Sequence, residues 1–150
     1  MKIAIGNDHG AVEMKNHVVG WLNDHGYEVV NFGTDEPVST DYPIYAERVA
    51  KAVVSGACDR GILICGTGIG ISISANKIHG VRCALCSEPV SAALCRQHND
   101  ANIVAMGART IGPVMAEEIV RTFLTTEFEG GRHARRVDEI MALDRGETLQ

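Results

Sequence analysis

The sequence predicts an α/β fold: a single three-layer α/β/α sandwich around a doubly wound, five-stranded parallel sheet of Rossmann-like type, with a C-terminal helical tail. The main observation is that short apolar runs rich in Ile and Val alternate with longer segments of helical period. A second is that no repeat, linker or low-complexity tract interrupts the 150 residues. A chain of this length can bury one sizeable core, so a single domain over residues 1–150 is predicted.

Five apolar runs are predicted to form the strands, and they are residues 2–6, 28–32, 61–65, 81–86 and 102–106. The first helix carries apolar residues at helical spacing and ends at a glycine; these residues are Ala11, Met14, Val18, Leu22 and Gly26. The second helix is predicted to begin at Pro43 and to end at Gly56. Its apolar face is formed by Ala46, Val49, Ala50 and Val53.

The remaining helices are marked by a glycine loop, a capping sequence and a proline. The third is predicted from the glycine loop to about Lys77, and the fourth from residues 87–89 to His98 and Asn99. Pro113 opens the fifth. Its predicted buried stripe is Met115, Ile119, Val120, Phe123 and Leu124. A last helical segment is predicted over about 137–143, after a group of basic residues.

Composition excludes several classes of protein. The net charge of −5 argues against a general nucleic-acid surface, which needs a basic face. No apolar run has the pattern of a secretion signal or the length of a membrane span, so a soluble, cytoplasmic protein is expected. Five cysteines, an odd number, indicate reduced thiols rather than a disulfide framework.

Polar residues follow four of the predicted strands. In a doubly wound sheet, ligands bind beyond the carboxyl ends of the strands. These positions are therefore expected to converge on one edge of the sheet, and they are Asp8, His9, Asp41, Tyr42, Cys65, the glycine loop at 66–70, and the segment 107–109.

The glycine loop follows a strand and leads into a helix, so its backbone N–H groups should point toward a bound anion. G-x-G-x-x-G after the first strand and G-x-x-x-x-G-K-[ST] are both absent, which argues against a nucleotide. Cys65, just before the loop, is placed to have thiolate character, and could act as nucleophile or base. It could equally be a small core residue. A phosphatase would need an arginine where Ile71 stands.

Other cysteines and basic residues offer further chemistry. Cys83, Cys86, Cys95 and His98 have a zinc-like spacing. Strand alternation, however, sends Cys83 and Cys86 to opposite faces, so core packing is favoured. His98 stands at a helix end, where the dipole favours a cation. Arginines supply the cationic cluster that the net charge lacks, and they are Arg109, Arg132, Arg135 and Arg136. Arg132 and Arg136 are four apart and could hold one phosphate together, whereas a solvated helix face explains Arg135 equally well.

Six stretches resemble the type B ribose 5-phosphate isomerases, in order along nearly the whole chain. They are N-D-H-G at 7–10, D-Y-P at 41–43, I-C-G-T-G-I-G-I-S at 64–72, A-N-K at 75–77, R-Q-H-N-D-A-N at 96–102 and E-G-G-R-H-A-R-R-V at 129–137. The same family includes the galactose 6-phosphate and allose 6-phosphate isomerases.

The resemblance implies a role for each matching residue. It implies that Cys65 is the proton acceptor and that His98 is the proton donor that helps to open the sugar ring. The implied substrate-binding residues are Asp8, His9, Tyr42, Gly66, Thr67, Gly68, Ile69, Gly70, Asn99, Arg109, Arg132 and Arg136. It also implies a homodimer, in some relatives a tetramer, whose active site is shared between subunits, and it implies no metal and no cofactor.

The implied activity is an aldose–ketose isomerisation of the pentose phosphate pathway. D-ribose 5-phosphate and D-ribulose 5-phosphate would interconvert through a cis-enediolate, with the cysteine as base. Two alternatives stay open at this point. The chain could isomerise another aldose, such as allose 6-phosphate or galactose 6-phosphate, or it could bind a sugar phosphate as a non-catalytic sensor.

Overall fold

The computed structural model describes residues 1–150 and contains five strands and six α-helices. The strands are β1 Lys2–Asn7, β2 Glu28–Asn31, β3 Arg60–Cys65, β4 Cys83–Leu85 and β5 Ile103–Gly107. The helices are α1 Val12–Asp24, α2 Tyr42–Val54, α3 Ile69–Ala75, α4 Pro89–Asn99, α5 Pro113–Thr125 and α6 Arg132–Asp144. A short 3-10 turn, His9–Ala11, lies between β1 and α1.

All five strands are parallel, in the order β2-β1-β3-β5-β4. The chain moves outward from β1 to β2 and then crosses back to β3, so the direction of winding reverses between β1 and β3. In this architecture ligands bind at such a switch point, outside the carboxyl ends of the strands. The register brings those ends level, because Asn7 pairs with Ile64 and Cys65 pairs with Gly107.

Helices cover both faces of the sheet, which confirms the predicted three-layer sandwich. Strand side chains alternate between the two faces. Ile62 and Ile64 pack on the face covered by α1, α4 and α5. Leu63 and Cys65 pack on the face covered by α2 and α3. The Cys65 side chain therefore lies on the same side of the sheet as the helix that the glycine loop opens.

Several boundaries differ from those predicted. β4 is limited to Cys83–Leu85, because Gly80 takes a φ of +88° and the Val81 N–H bonds back to the carbonyl of Ile78, which makes a turn there. Helix α3 ends at Ala75 because the Asn76 side chain bonds to the backbone of Cys83.

Two further predictions about the C-terminal helices were wrong in part. Helix α6 begins at Arg132, earlier than predicted, directly after Gly130 and Gly131 with positive φ. Met115 is 39% exposed rather than buried, since it lies in the first turn of α5, while the other four residues of the predicted stripe are buried. No helix combines the length and apolar character that crossing a membrane requires.

Candidate functional site

Cys65 ends β3, and its sulfur faces the loop that leads to α3. The backbone N–H of Gly68 donates to Cys65 Sγ at 3.1 Å. The residue is 4% exposed, so the thiol meets the loop rather than bulk solvent. A backbone amide of the glycine loop therefore fixes the position of the sulfur beside that loop.

Gly68 is the one loop residue whose conformation requires glycine. Its φ is +77°, and a Cβ there would lie 2.7 Å from the backbone carbonyl carbon of Met106. The loop is thereby held against β5. The amides of Gly66 and Thr67 donate to no other group of the protein. These two N–H groups are available to an anion that approaches the sulfur.

Arg109 lies across this loop. Its backbone N–H donates to the Gly66 carbonyl at 2.9 Å. A Cβ at Gly66 would be 3.4 Å from Arg109 Nη1, and one at Gly10 would be 3.6 Å from Nη2, so the guanidinium spans the segments after β1 and β3. No carboxylate pairs with it. It is therefore free to bind an external anion.

Asp8 and His9 occupy the same edge, directly after β1. The Asp8 Oδ1 atom accepts the N–H of Gly10 at 3.0 Å and opens the 3-10 turn. The backbone N–H of Thr40 donates to His9 Nδ1 at 3.2 Å. A neutral His9 must then carry its proton on Nε2, where it can act as a hydrogen-bond donor.

Tyr42 begins α2 and closes one side of the glycine loop. A Cβ at Gly70 would lie 2.5 Å from Tyr42 Cζ, so the ring lies directly against that glycine. Tyr42 is 38% exposed, which places it at the mouth of the loop. The structure thus brings together the predicted residues of the carboxyl edge: Asp8, His9, Tyr42, Cys65, the loop residues 66–70, and Arg109.

His98 and Asn99 lie at the opposite, amino edge of the sheet. They end α4, and Arg82, just before β4, donates to the Asn99 carbonyl at 3.1 Å. The nearby Asn102 carbonyl accepts the N–H of Gly61 at the start of β3 at 3.0 Å. The length of β3, about 17 Å at roughly 3.3 Å per residue, therefore separates His98 from Cys65. One chain does not bring the two together.

Arg132 and Arg136 belong to this second group. Both are in the first turns of α6, four residues apart, and neither pairs with a carboxylate. Arg135, by contrast, faces Glu139 at 4.0 Å on an exposed helix surface. The two arginines of this group that make no ion pair, Arg132 and Arg136, are thus the two that the sequence suggested for phosphate binding.

His98 is stacked on a second imidazole. Its ring lies 4.3 Å from that of His133, with the planes 12° apart. Burial lowers the pKa of His133, and the neighbouring His98 and Arg132 charges lower it further. Glu129 lies close by, with its carboxylate 3.5 Å from His133 Nε2. His98, Glu129 and His133 form the only group of three potential metal ligands in the structure.

The cysteines with zinc-like spacing do not form such a group. Cys86 and Cys95 pack together in one core cluster, whereas Cys83 packs against the other. Burial raises the pKa of Cys83 to about 12. These thiols are core residues in the structure.

Two cavities lie beside the two groups of residues. The larger, about 540 Å³, opens at the carboxyl edge between α1 and α5 and includes His9 and Gly10. The smaller, about 270 Å³, lies at the amino edge and includes Asn99. Neither Cys65 nor His98 lines either cavity.

Two buried cations that support these edges were missed from the sequence. Arg96 is 2% exposed and donates to the carbonyls of Ala101 and Thr126, which fixes the His98 end of α4 against the tail. Lys15 is 1% exposed and pairs with Asp35, which anchors the segment that carries Thr40. The spacing of Arg96 and Asp100, an i,i+4 pair, was the available signal for the first.

Comparison with known proteins agrees with the α/β sandwich described above. The family described as Ribose/Galactose Isomerase matches residues 3–140. The chain belongs to this family.

Individual relatives cover almost the whole chain. It is 51% identical to ribose-5-phosphate isomerase B of Escherichia coli over 143 residues, which is 95% of this chain and 96% of the relative. It is 43% identical to D-erythrulose-4-phosphate isomerase of Pectobacterium atrosepticum, with 93% of each chain covered. The solved structure of ribose-5-phosphate isomerase B of Clostridium thermocellum superimposes with a TM-score of 0.96 at 51% identity, covering 97% of this chain and 99% of that one.

Proposed function

We propose that this chain interconverts D-ribose 5-phosphate and D-ribulose 5-phosphate, with Cys65 as the base that moves the proton between C2 and C1. The observation that carries the proposal is the Cys65 sulfur facing the Gly68 N–H, with two unused amides and a free guanidinium beside it. Family membership and relatives that carry this enzyme name support the substrate.

The proton transfer follows from the position of the thiol. In the open-chain aldose, the Cys65 thiolate removes the C2 proton, and the electron pair moves toward the C1 carbonyl oxygen to give a cis-enediolate. The Cys65 thiol then returns the proton to C1, while the proton of the C2 hydroxyl passes to the neighbouring C1 oxygen, which leaves a carbonyl at C2 and a hydroxyl at C1. The N–H groups of Gly66 and Thr67 would bind the oxyanion as it forms. A base of this kind contributes about 10²–10⁴-fold, and each oxyanion donor about 10²–10³-fold.

The substrate phosphate requires guanidinium groups without internal partners. Arg109 provides one at the carboxyl edge, and Arg132 and Arg136 provide two at the amino edge. Arginine binds phosphate oxygens through paired N–H groups, which fixes the orientation of the sugar relative to the sulfur. His9, as an Nε2–H donor, and Asp8 would bind the sugar hydroxyls.

The site is completed by a second copy of the chain. Ring opening requires a proton donor near the sugar, and His98 is too far from Cys65 in its own chain. Exposed apolar side chains lie on α3, at the end of β4 and on α4, and they are Ile69, Ile73, Leu85, Val90 and Leu94. We propose that this surface forms a homodimer, in which the His98 edge of one copy meets the Cys65 edge of the other. Sedimentation analysis should give twice the chain mass or a multiple of it.

We further propose a cytoplasmic location. All five cysteines are free thiols, and a reducing compartment preserves them. This location is tested by labelling the thiols of the protein in intact cells with a thiol reagent, with and without a reducing agent. If the protein is cytoplasmic, all five cysteines are already reduced, so the reducing agent should not increase the number of labelled thiols.

A second substrate class is favoured by one relative. A chain 43% identical to this one carries the name D-erythrulose-4-phosphate isomerase, which refers to a four-carbon sugar. A coupled assay over four-, five- and six-carbon aldose phosphates separates the candidates. The proposal requires the highest kcat/KM with ribose 5-phosphate. If the protein turned over none of these sugar phosphates, it would be a sugar-phosphate-binding protein and not an isomerase.

Replacement of Cys65 tests the base. Cys65→Ser keeps the shape of the side chain but removes the thiolate, so we expect kcat to fall by about 10²–10⁴-fold. Cys95→Ser, at another buried cysteine, is the control and should keep kcat. Full turnover by the Cys65 variant would exclude it as the base.

A further inference from the structure

We propose that His98, Glu129 and His133, the amino-edge cluster, bind a divalent transition-metal ion of the Zn²⁺ type, and that the bound ion blocks His98. The ligand atoms of the three side chains lie within 4.8 Å of one another. The blocking of His98 rests on the proposed function, in which that imidazole donates a proton, whereas the binding of the metal does not.

Two of the ligands already have the separation that zinc requires. Zinc lies about 2.0–2.1 Å from a histidine nitrogen and about 2.0–2.2 Å from a carboxylate oxygen, so two tetrahedral ligands are roughly 3.3–3.5 Å apart. His133 Nε2 and Glu129 Oε2 are 3.5 Å apart. His98 is the third ligand; because its ring is stacked nearly parallel to that of His133, it must turn out of the stack for its nitrogen to face the same ion, and its partly exposed position leaves room for this rotation.

The backbone holds the three ligands together. The Glu129 N–H donates to the carbonyl of Gln97, next to His98, at 3.1 Å. The His133 N–H donates to the Gly130 carbonyl at 3.0 Å. Arg96 fixes the preceding segment through the Thr126 carbonyl at 3.3 Å. The cluster is thus formed by the end of α4, a pinned loop and the first turn of α6.

Ligand type selects the metal. Two imidazoles and one carboxylate suit Zn²⁺, Co²⁺ or Ni²⁺, while Mg²⁺ and Ca²⁺ prefer oxygen ligands alone. The Glu129 side chain is 51% exposed, so a metal ion can enter from solvent and keep a water in the fourth position. Arg132 and Arg136 are close in sequence and reduce the affinity, so we expect weaker binding than at a closed structural zinc site.

Binding is tested by competition between the metal-free protein and a chromophoric zinc indicator. Wild type should take up one Zn²⁺ per chain. Glu129→Gln and His133→Asn should each weaken zinc binding by at least about tenfold. Mutation of a residue that only hydrogen-bonds to a metal ligand already weakens binding by about this much, so removal of a ligand should cost no less. His79→Asn, at an exposed histidine beside Asp144, and Cys95→Ser are the controls and should bind as wild type. Loss of binding in the cysteine control, or no saturable uptake by wild type, would overturn the site.

Activity tests the consequence for His98. Zn²⁺ should inhibit the isomerase with the midpoint measured for binding. Glu129→Gln should keep the metal-free turnover and lose the inhibition. Inhibition that persists in this variant would overturn the proposal. Zinc binding without any isomerase activity would contradict the proposed function alone, and activity without zinc binding would contradict the metal site alone.

Discussion

Replacement of Gly68 by alanine tests whether the glycine loop must lie where the structure places it. The new Cβ would be 2.5 Å from Leu85 Cδ1, 2.7 Å from the Met106 carbonyl carbon and 2.9 Å from its oxygen. Leu85 can rotate away, but the β5 backbone cannot. The residue would also hold a φ of +77°. The left-handed conformation costs about 1–2 kcal/mol and the overpacking about 1–3 kcal/mol, so the loss of unfolding free energy should be about 2–5 kcal/mol.

A second glycine separates the two contributions. Gly26 has a φ of +78°, and a Cβ added there would have nothing within 4 Å, so Gly26→Ala should show only the conformational cost of about 1–2 kcal/mol. Urea unfolding of both variants measures the difference. Isomerase kinetics should show kcat/KM lower by about 10²-fold for Gly68→Ala alone, because the N–H directed at Cys65 Sγ moves. If Gly68→Ala is no less stable than Gly26→Ala and keeps wild-type kcat, the loop is not held as described.

Two other variants test the amino edge. Arg136→Gln should raise KM for a phosphorylated sugar by about tenfold or more in steady-state kinetics. Arg135→Gln, which changes a residue paired with Glu139, should leave KM unchanged. Equal effects of the two variants on KM would exclude Arg136 as a phosphate ligand. Because the pKa of His133 is lowered by burial, the folded chain binds fewer protons there than the unfolded chain, so unfolding free energy is lost as pH falls below about 6.5. His133→Gln should show a shallower loss between about pH 7.5 and pH 5 in urea unfolding, and an unchanged pH dependence would contradict the burial of this imidazole.

Much of the fold could be predicted because its core strands are long and apolar on both faces. β3 and β5 are buried along their length and were predicted within one residue at each end. β4 could not be bounded in this way, since it is an edge strand of three residues next to a turn. The sequence also could not show that Lys15 and Arg96 are buried. Asp35, the partner of Lys15, is exposed, and the i,i+4 spacing of Arg96 and Asp100 indicates an ion pair but not its burial.

The candidate site was predictable at one edge only. The rule that ligands bind beyond strand carboxyl ends places Asp8, Cys65 and Arg109 together, and the structure agrees. His98 lies at the end of α4, which runs antiparallel to the strands, so it is at the amino edge, where that rule places no ligand. Stacking of His98 on His133 arises from the docking of α6 on α4, which no local pattern indicates.

The most direct test of the shared site is complementation between Cys65→Ala and His98→Asn. Each variant alone should be nearly inactive. In a mixed dimer, one site carries both changes, and the other pairs an intact Cys65 with an intact His98 from the partner copy. Random reassociation of an equimolar mixture makes about half of the dimers mixed, and one of the two sites in each mixed dimer is complete. Refolding the mixture should therefore restore about one quarter of wild-type activity. Activity no greater than that of the separate variants would contradict a site built from Cys65 of one chain and His98 of another.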